Sequence, residues 1–270
     1  MSLEEALDKL LAKKPSSVPT IWEQGLWDQE DIYGATTAFA ALKAAGRENN
    51  NYLVMGPWFH SQINRDGSAL GPFKWNGDTA MQFRREMVLP FFNQYLKDGP
   101  PANLARATIY SPADNQWQKF PTWPMAPSTK ALYLQPNFGL SFDKPAAAPK
   151  GQSGGDSYVS DPAKPVTHLP RPVKFSDSEA WRTWLVRDQR FVDGRPDVLT
   201  YTTPVLDKAV KIQGAPIADI VATTTGTDGD FIVKLIDVYP DQVPSQPELG
   251  GYQLPVSLEI FRGRYRDRKS

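Results

Sequence analysis

Two short apolar runs on either side of an alanine-rich stretch constrain the fold of this chain most. "VPTIWEQGLW" predicts a strand that begins after Pro19, and "NYLVMG" predicts a second, bounded by polar residues and Gly-Pro as a buried parallel strand is. Between them "DIYGATTAFAALKAAG" is helical in composition, and Gly46 suits its C-terminal stop. "SLEEALDKLLAKK" carries apolar residues at helical spacing, with Ser2 and Glu5 placed for a capping box. "DTAMQFRREMVLPFFNQYLKDG" predicts a further helix, kinked at Pro90 and stopped at Gly99. Strand, helix, strand, helix is the order of a parallel α/β sheet. Two strands are too few for a free-standing open sheet.

The pattern changes near residue 100. From about residue 103 the runs "ARATIYSP", "KALYLQ", "GDSYVSD", "DVLTYTT", "VKIQG", "ADIVATTT", "DFIVKLIDVYP" and "PVSLEIFRGRYR" are short and β-branched or aromatic. Pro, Gly, Asn and Asp separate them, which is the pattern of a β-sandwich or jelly roll. The expected fold class is therefore α/β plus all-β. "DKPAAAPKGQSGG" reads as an exposed loop, and no internal repeat is visible.

Functional groups in a parallel sheet gather at the carboxyl ends of the strands. Asp28 follows the first predicted strand, and His60, in "GPWFHSQ", follows the second. One helix and one strand lie between them, so a single βαβ step brings their loops to one edge. An Asp and a His so placed match the acid and base of an α/β-hydrolase triad. The competing reading for a loop histidine is a surface or hydrogen-bonded structural role.

Glu30 and Asp31 complete an acidic stretch, "WDQEDIYGA". One reading is a first-turn pair favourable to the helix dipole, at about 0.3–1 kcal/mol per charge. The other is a site that needs negative charge, since two more carboxylates beside Asp28 raise repulsion that a cationic ligand group would relieve. "GQSGG" (151–155) formally matches G-x-S-x-G, but its flanks predict a loop entering a strand. A nucleophile elbow needs a turn from a buried strand into a helix, and it precedes the histidine in chain order. "WRTWLVRDQRF" interleaves Arg and Trp, and Arg packed on Trp fits it better than nucleic-acid stacking. His168, in "VTHLPRP", has no identifiable partner and is assigned a structural role.

Lys and Arg total 30, as do Asp and Glu, so no basic field recruits nucleic acid or anionic lipid. The 270 residues contain no cysteine and two histidines, which argues against thiolate chemistry, disulfides and a His-rich metal site. No apolar run approaches the roughly 18 residues of a membrane span, and the N-terminus lacks the apolar core of a signal peptide.

"WEQGLWDQEDIYGA", "LVMGPWFHSQ", "LPFFNQYLKDGPP", "TGTDGDFIVKLIDVYP" and "LEIFRGRYR", in this order, resemble the α-amino acid ester hydrolases. That family belongs with cocaine esterase and the X-Pro dipeptidyl peptidases. The resemblance implies the C-terminal part of an α/β-hydrolase domain over 1–102, then a jelly-roll β-sandwich over 103–270, truncated at its C-terminus. It implies a Ser-His-Asp triad that hydrolyses, or transfers acyl groups from, α-amino acid esters and β-lactam amides, with Asp28 as acid and His60 as base. Glu30 and Asp31 match two carboxylates that bind the substrate α-ammonium. The nucleophile has no counterpart in this chain, so the chain alone is expected to be inactive. No metal or cofactor is implied. The expected partner is a small molecule with a free α-amino group, with no nucleic acid and no membrane. A homo-oligomeric intact enzyme in the periplasm or secreted is also implied. The alternatives are an X-Pro dipeptidyl peptidase, a glutaryl-type cephalosporin acylase, and a non-enzymatic jelly-roll binding module carrying a vestigial hydrolase stub.

Overall fold

The computed structural model describes residues 9–14, 17–125, 128–147, 154–169, 171–174, 176 and 178–266. The capping box at Ser2 and Glu5 lies outside these residues, as do the first three positions of "GQSGG". Strand β1 (Thr20–Gly25), helix α1 (Gly34–Ala44) and strand β2 (Asn51–Gly56) form the expected βαβ unit. β1 and β2 pair in parallel, from Thr20 opposite Asn51 to Gly25 opposite Gly56. Helix α1 ends as its sequence predicts. Gly46 takes a left-handed φ of 66°, its N–H bonds Lys43 O, and the Arg47 N–H bonds Leu42 O.

The second helical stretch is α2 (Thr79–Phe83), a π turn over Arg84–Val88, and α3 (Leu89–Leu96). Asp78 caps its start by accepting from the Met81 N–H. Pro90 sits in the first turn of α3, where a missing N–H costs least. The wider π turn before it absorbs the misfit, so the expected kink takes the form of a π turn. The left-handed residue at the C-terminus is Asp98, with φ 51°, and the Gly99 N–H reaches Asn93 O at 2.9 Å.

After the short pair β3 (Ala69–Leu70) and β4 (Phe73–Lys74), strands β5 (Ala107–Ser111) and β6 (Gln116–Phe120) join the first sheet. Its order is β1-β2-β5-β6, with β5 parallel to β2 and β6 antiparallel to β5. "ARATIYSP", read from sequence among the β-domain runs, thus supplies a third parallel strand. Ala107 to Tyr110 are all buried, as a strand covered on both faces requires.

The remaining strands pair antiparallel: β7 (Tyr133–Gln135) with β8 (Gly139–Ser141), and the long hairpin β9 (Asp230–Val238) with β10 (Gln253–Arg262). The strand-like runs at 155–161, 210–214 and 218–225 form no ladder, and "DVLTYTT" contributes one bridge, Thr202 to Gly139. The apolar residues Val205, Ile217 and Val221 are 99%, 87% and 98% exposed. β propensity alone makes no strand without a neighbour to complete its hydrogen bonds.

Among the described residues, three core clusters hold these parts together. Phe39, Leu53 and Ala107 pack between α1 and the sheet, while Val54, Trp58, Ala80, Phe83 and Met87 pack between the sheet and α2. The third joins Leu70 and Phe73 to Val186, Leu249, Tyr252 and Leu254, with Trp27 and Phe59 against it. Asp28 and His60 therefore each follow a residue anchored in the core shared with the β9–β10 region.

Candidate active site

The β1–β2 ladder continues past both strand ends. The Leu26 N–H bonds Gly56 O at 2.8 Å, and the Trp27 N–H bonds Trp58 O at 3.1 Å. Asp28 follows Trp27, and His60 lies two residues beyond Trp58. Close approach here depends on two glycines facing each other in register. A Cβ on Gly56 would lie 2.4 Å from the Trp58 ring, and one on Gly25 would lie 2.7 Å from Trp58 O. Trp58 is fully buried, and its indole N–H donates to Thr79 Oγ1 at 2.8 Å. Thr79 in turn donates to Gly67 O.

His60 Nδ1 lies 3.2 Å from both carboxylate oxygens of Asp28. In the neutral ring a proton on Nδ1 faces Asp28, leaving Nε2 as the basic nitrogen. Asp28 Oδ1 also accepts the N–H groups of Glu30 and Asp31, at 2.8 and 2.9 Å. Those bonds orient the carboxylate and fold the turn that follows. The His60 N–H donates to Gln29 Oε1 at 3.1 Å. Buried Gln62 accepts the Phe59 N–H and donates to Asp66 O and Ala69 O, bracing the histidine loop.

Glu30 comes to the other side of the ring, its Oε2 3.6 Å from His60 Nε2. Asp31 turns toward the start of α1, where its Oδ1 accepts from the Tyr33 and Gly34 N–H groups at 3.2 and 2.7 Å. The structure thus brings Asp28, His60 and Glu30 together, and it gives Asp31 a helix-capping contact beside them. Among the described residues, no hydroxyl is recorded against His60.

Glu23 is a fourth carboxyl that sequence reasoning missed. Burial pushes its pKa from 4.5 to about 7, the negative charge of Asp28 adds to the rise, His60 opposes it, and Asp31 adds a little more. The signal was available: a charged residue inside the predicted strand "TIWEQG".

A cavity of about 300 Å³ opens beside Asp28 and Glu30, walled by Trp27, Trp184 and the Pro255–Leu258 stretch of β10. Arg182, from α4 (Ser178–Thr183), lies 5.6 Å over the ring of Phe59. Arg190 pairs with Asp188 at 2.5 Å. Within "WRTWLVRDQRF", Arg182 thus packs on a ring and Arg190 enters an ion pair. Among the described residues, no group of three or more His, Asp or Glu side chains could hold a metal ion. No described helix is long and apolar enough to cross a membrane.

Two family models match the chain. The X-Pro dipeptidyl-peptidase C-terminal non-catalytic domain covers residues 93–267, and the X-Pro dipeptidyl-peptidase (S15 family) model covers residues 4–62. The chain belongs to the family of the X-Pro dipeptidyl-peptidase C-terminal non-catalytic domain. Cocaine esterase of Rhodococcus sp. is 26% identical over 222 residues, covering 80% of this chain and 36% of its own length. A putative serine esterase of Mycobacterium bovis is 25% identical, covering 80% and 32%. Among solved structures, an α-amino acid ester hydrolase is 54% identical with a TM-score of 0.91, covering 97% of this chain and 44% of that one. An aminopeptidase from a Thaumarchaeota archaeon of marine sediment is 43% identical with a TM-score of 0.90, covering 97% and 43%. The chain spans less than half the length of each of these relatives. These relatives are named as hydrolases, and the similarity spans both the α/β part and the β part of this chain.

Proposed function

We propose that this chain carries the acid and base of a Ser-His-Asp triad, together with carboxylates that select a substrate with a free α-amino group. The reaction is hydrolysis of α-amino acid esters, or acyl transfer to and from β-lactam amides. The reading rests on one observation above the rest: His60 Nδ1 lies on the Asp28 carboxylate at the ends of two adjacent parallel strands. As a serine Oγ bonds to the ester carbonyl carbon, His60 Nε2 takes the Oγ proton and later delivers it to the departing alcohol. Asp28 holds the tautomer and stabilises the imidazolium. Water then repeats the sequence on the acyl-enzyme and releases the acid.

Glu30, with Asp31 beside it, supplies the negative charge for the substrate ammonium. The serine comes from a part of the enzyme that this chain does not contain, so the chain alone does not turn over esters. We assign residues 1–102 to the hydrolase domain and 103–270 to a jelly-roll β-sandwich, with β5 and β6 laid onto the hydrolase sheet.

The deciding experiment uses an enzyme that includes the nucleophile segment and carries Glu30→Gln with Asp31→Asn. kcat/KM for an α-amino acid ester should fall at least tenfold more than for its des-amino analogue. Equal losses would return both residues to a capping role. The aminopeptidase relative favours a second reading, a peptidase acting on a free N-terminus. Comparison of an amino acid ester with an X-Pro dipeptide amide separates the two.

A further inference from the structure

His168 and Lys234 lie 66 residues apart in sequence and meet behind the wall of the Asp28–Glu30 cavity. His168 Nε2 lies 2.8 Å from Trp184 O, and a carbonyl can only accept, so Nε2 carries the proton. Nδ1 is then a lone pair, and it faces Lys234 Nζ at 3.4 Å. Lys234 also donates to Oε1 of fully buried Gln189 at 2.6 Å. The Trp184 ring stands edge-on to the imidazole, with centroids 5.2 Å apart, and its buried indole nitrogen has no hydrogen-bond partner among the described residues. Trp184 also lines the cavity, as does Leu258, the cross-strand partner of Lys234.

We propose that His168 and Lys234 form an acid-released latch that positions Trp184 against the Asp28–Glu30 cavity. With His168 neutral, Lys234 donates to Nδ1 and the loop, the hairpin and Trp184 are tied together. With His168 protonated, Nδ1 becomes a second donor facing an ammonium, so the Lys234 contact repels, and His168 with Trp184, still joined through Nε2–H and the Trp184 carbonyl, parts from the hairpin.

The charged surroundings favour that response. Arg187, in the turn after α4, adds another positive charge facing His168. The neighbouring carboxylates do not compensate, because Asp188 is engaged by Arg190, and Asp237 and Glu259 project from the other face of the hairpin. Burial lowers the pKa of His168, Lys234 and Arg187 lower it further, and only the Trp184 carbonyl opposes them. Burial also lowers that of Lys234. The neutral histidine is therefore the folded form at pH 7. Stability from this group is complete above the unfolded value near 6.5 and is lost as pH falls through the lower folded value.

The latch stands on its own geometry, and only its consequence for a bound acyl group rests on the catalytic reading of Asp28 and His60. The test uses this chain, labelled with 15N-histidine and 5-fluorotryptophan. It has two histidines, so His168→Gln identifies the His168 ring, and Trp184→Phe identifies the Trp184 resonance. The expected result is an Nε2–H tautomer at pH 8 and a titration midpoint below 6.5. The Trp184 fluorine shift should follow the same midpoint. In Lys234→Met the midpoint should move up toward 6.5, and in His168→Gln the fluorine shift should vanish from that pH window. An Nδ1–H tautomer, a Trp184 resonance indifferent to pH, or the same fluorine movement in His168→Gln would overturn the proposal. Because nothing in this test involves turnover, a failure of the catalytic reading leaves its outcome distinct. If Lys234→Met fails to fold, the wild-type and His168→Gln spectra still decide.

Discussion

Replacing Glu23 with Gln should stabilise the chain, and only above a definite pH. The folded-state pKa of Glu23 is about 7 against an ordinary value of 4.5. Each tenfold change in acidity corresponds to about 1.4 kcal/mol, so the shift is worth on the order of 3–4 kcal/mol, a real share of a total near 5–15 kcal/mol. The sign follows from linkage. A carboxyl whose folded pKa is raised contributes its stability fully below 4.5, and that stability is lost as pH rises through about 7. Gln mimics the neutral acid at every pH and suffers no such loss. Urea unfolding followed by tryptophan fluorescence should therefore give nearly equal stabilities for the two chains near pH 4. The gap should widen between pH 4.5 and 7 and then level off in favour of the variant. A gap that stays constant over the whole range would mean that Glu23 is solvated in the fold and takes no part in the Asp28–His60 cluster.

Other perturbations test the framework around that cluster. Gly56→Ala would set a methyl 2.4 Å from the Trp58 ring, and it should cost about 1–3 kcal/mol or more in chemical denaturation. A neutral result would mean that the ring has room to move. Thr79→Val strips the buried Trp58 indole of its acceptor and should cost about 1–3 kcal/mol, whereas an unchanged Tm would point to a replacement partner. A serine-directed fluorophosphonate should leave the isolated chain unlabelled, and stoichiometric labelling would reveal a nucleophile beside His60.

Much of the site could be read from local sequence because its parts are local. β1 and β2 are short apolar runs with clear borders, and Asp28 and His60 follow them directly, so one βαβ step sufficed to bring them together. What escaped depends on contacts distant in sequence. "ATIY" in β5 is β-branched and aromatic whether it joins an antiparallel sandwich or a buried parallel sheet. Only its pairing with Leu53 to Met55 decides between them. His168 looked partnerless because Lys234 and Trp184 come to it from other segments. The runs at 210–214 and 218–225 have strand composition but no neighbour to bond, and composition says nothing about neighbours. Asp31 could be seen as a cap or as a charge for a ligand. Asp31 lies ahead of the first turn of α1, which holds no acidic residue, and its contacts with the Tyr33 and Gly34 N–H groups tie down the entry to the helix.

The ladder that runs on through Leu26 and Trp27 has a dynamic consequence. The amides of these residues are bonded to Gly56 O and Trp58 O, and Trp58 is wholly buried. Their hydrogen exchange should then wait for global opening, since no smaller unit frees them. Asp28 and His60 would then sit beside the slowest-exchanging part of the molecule. Any widening of the cavity should then come from the opposite wall, where Trp184 and the Pro255–Leu258 stretch face it.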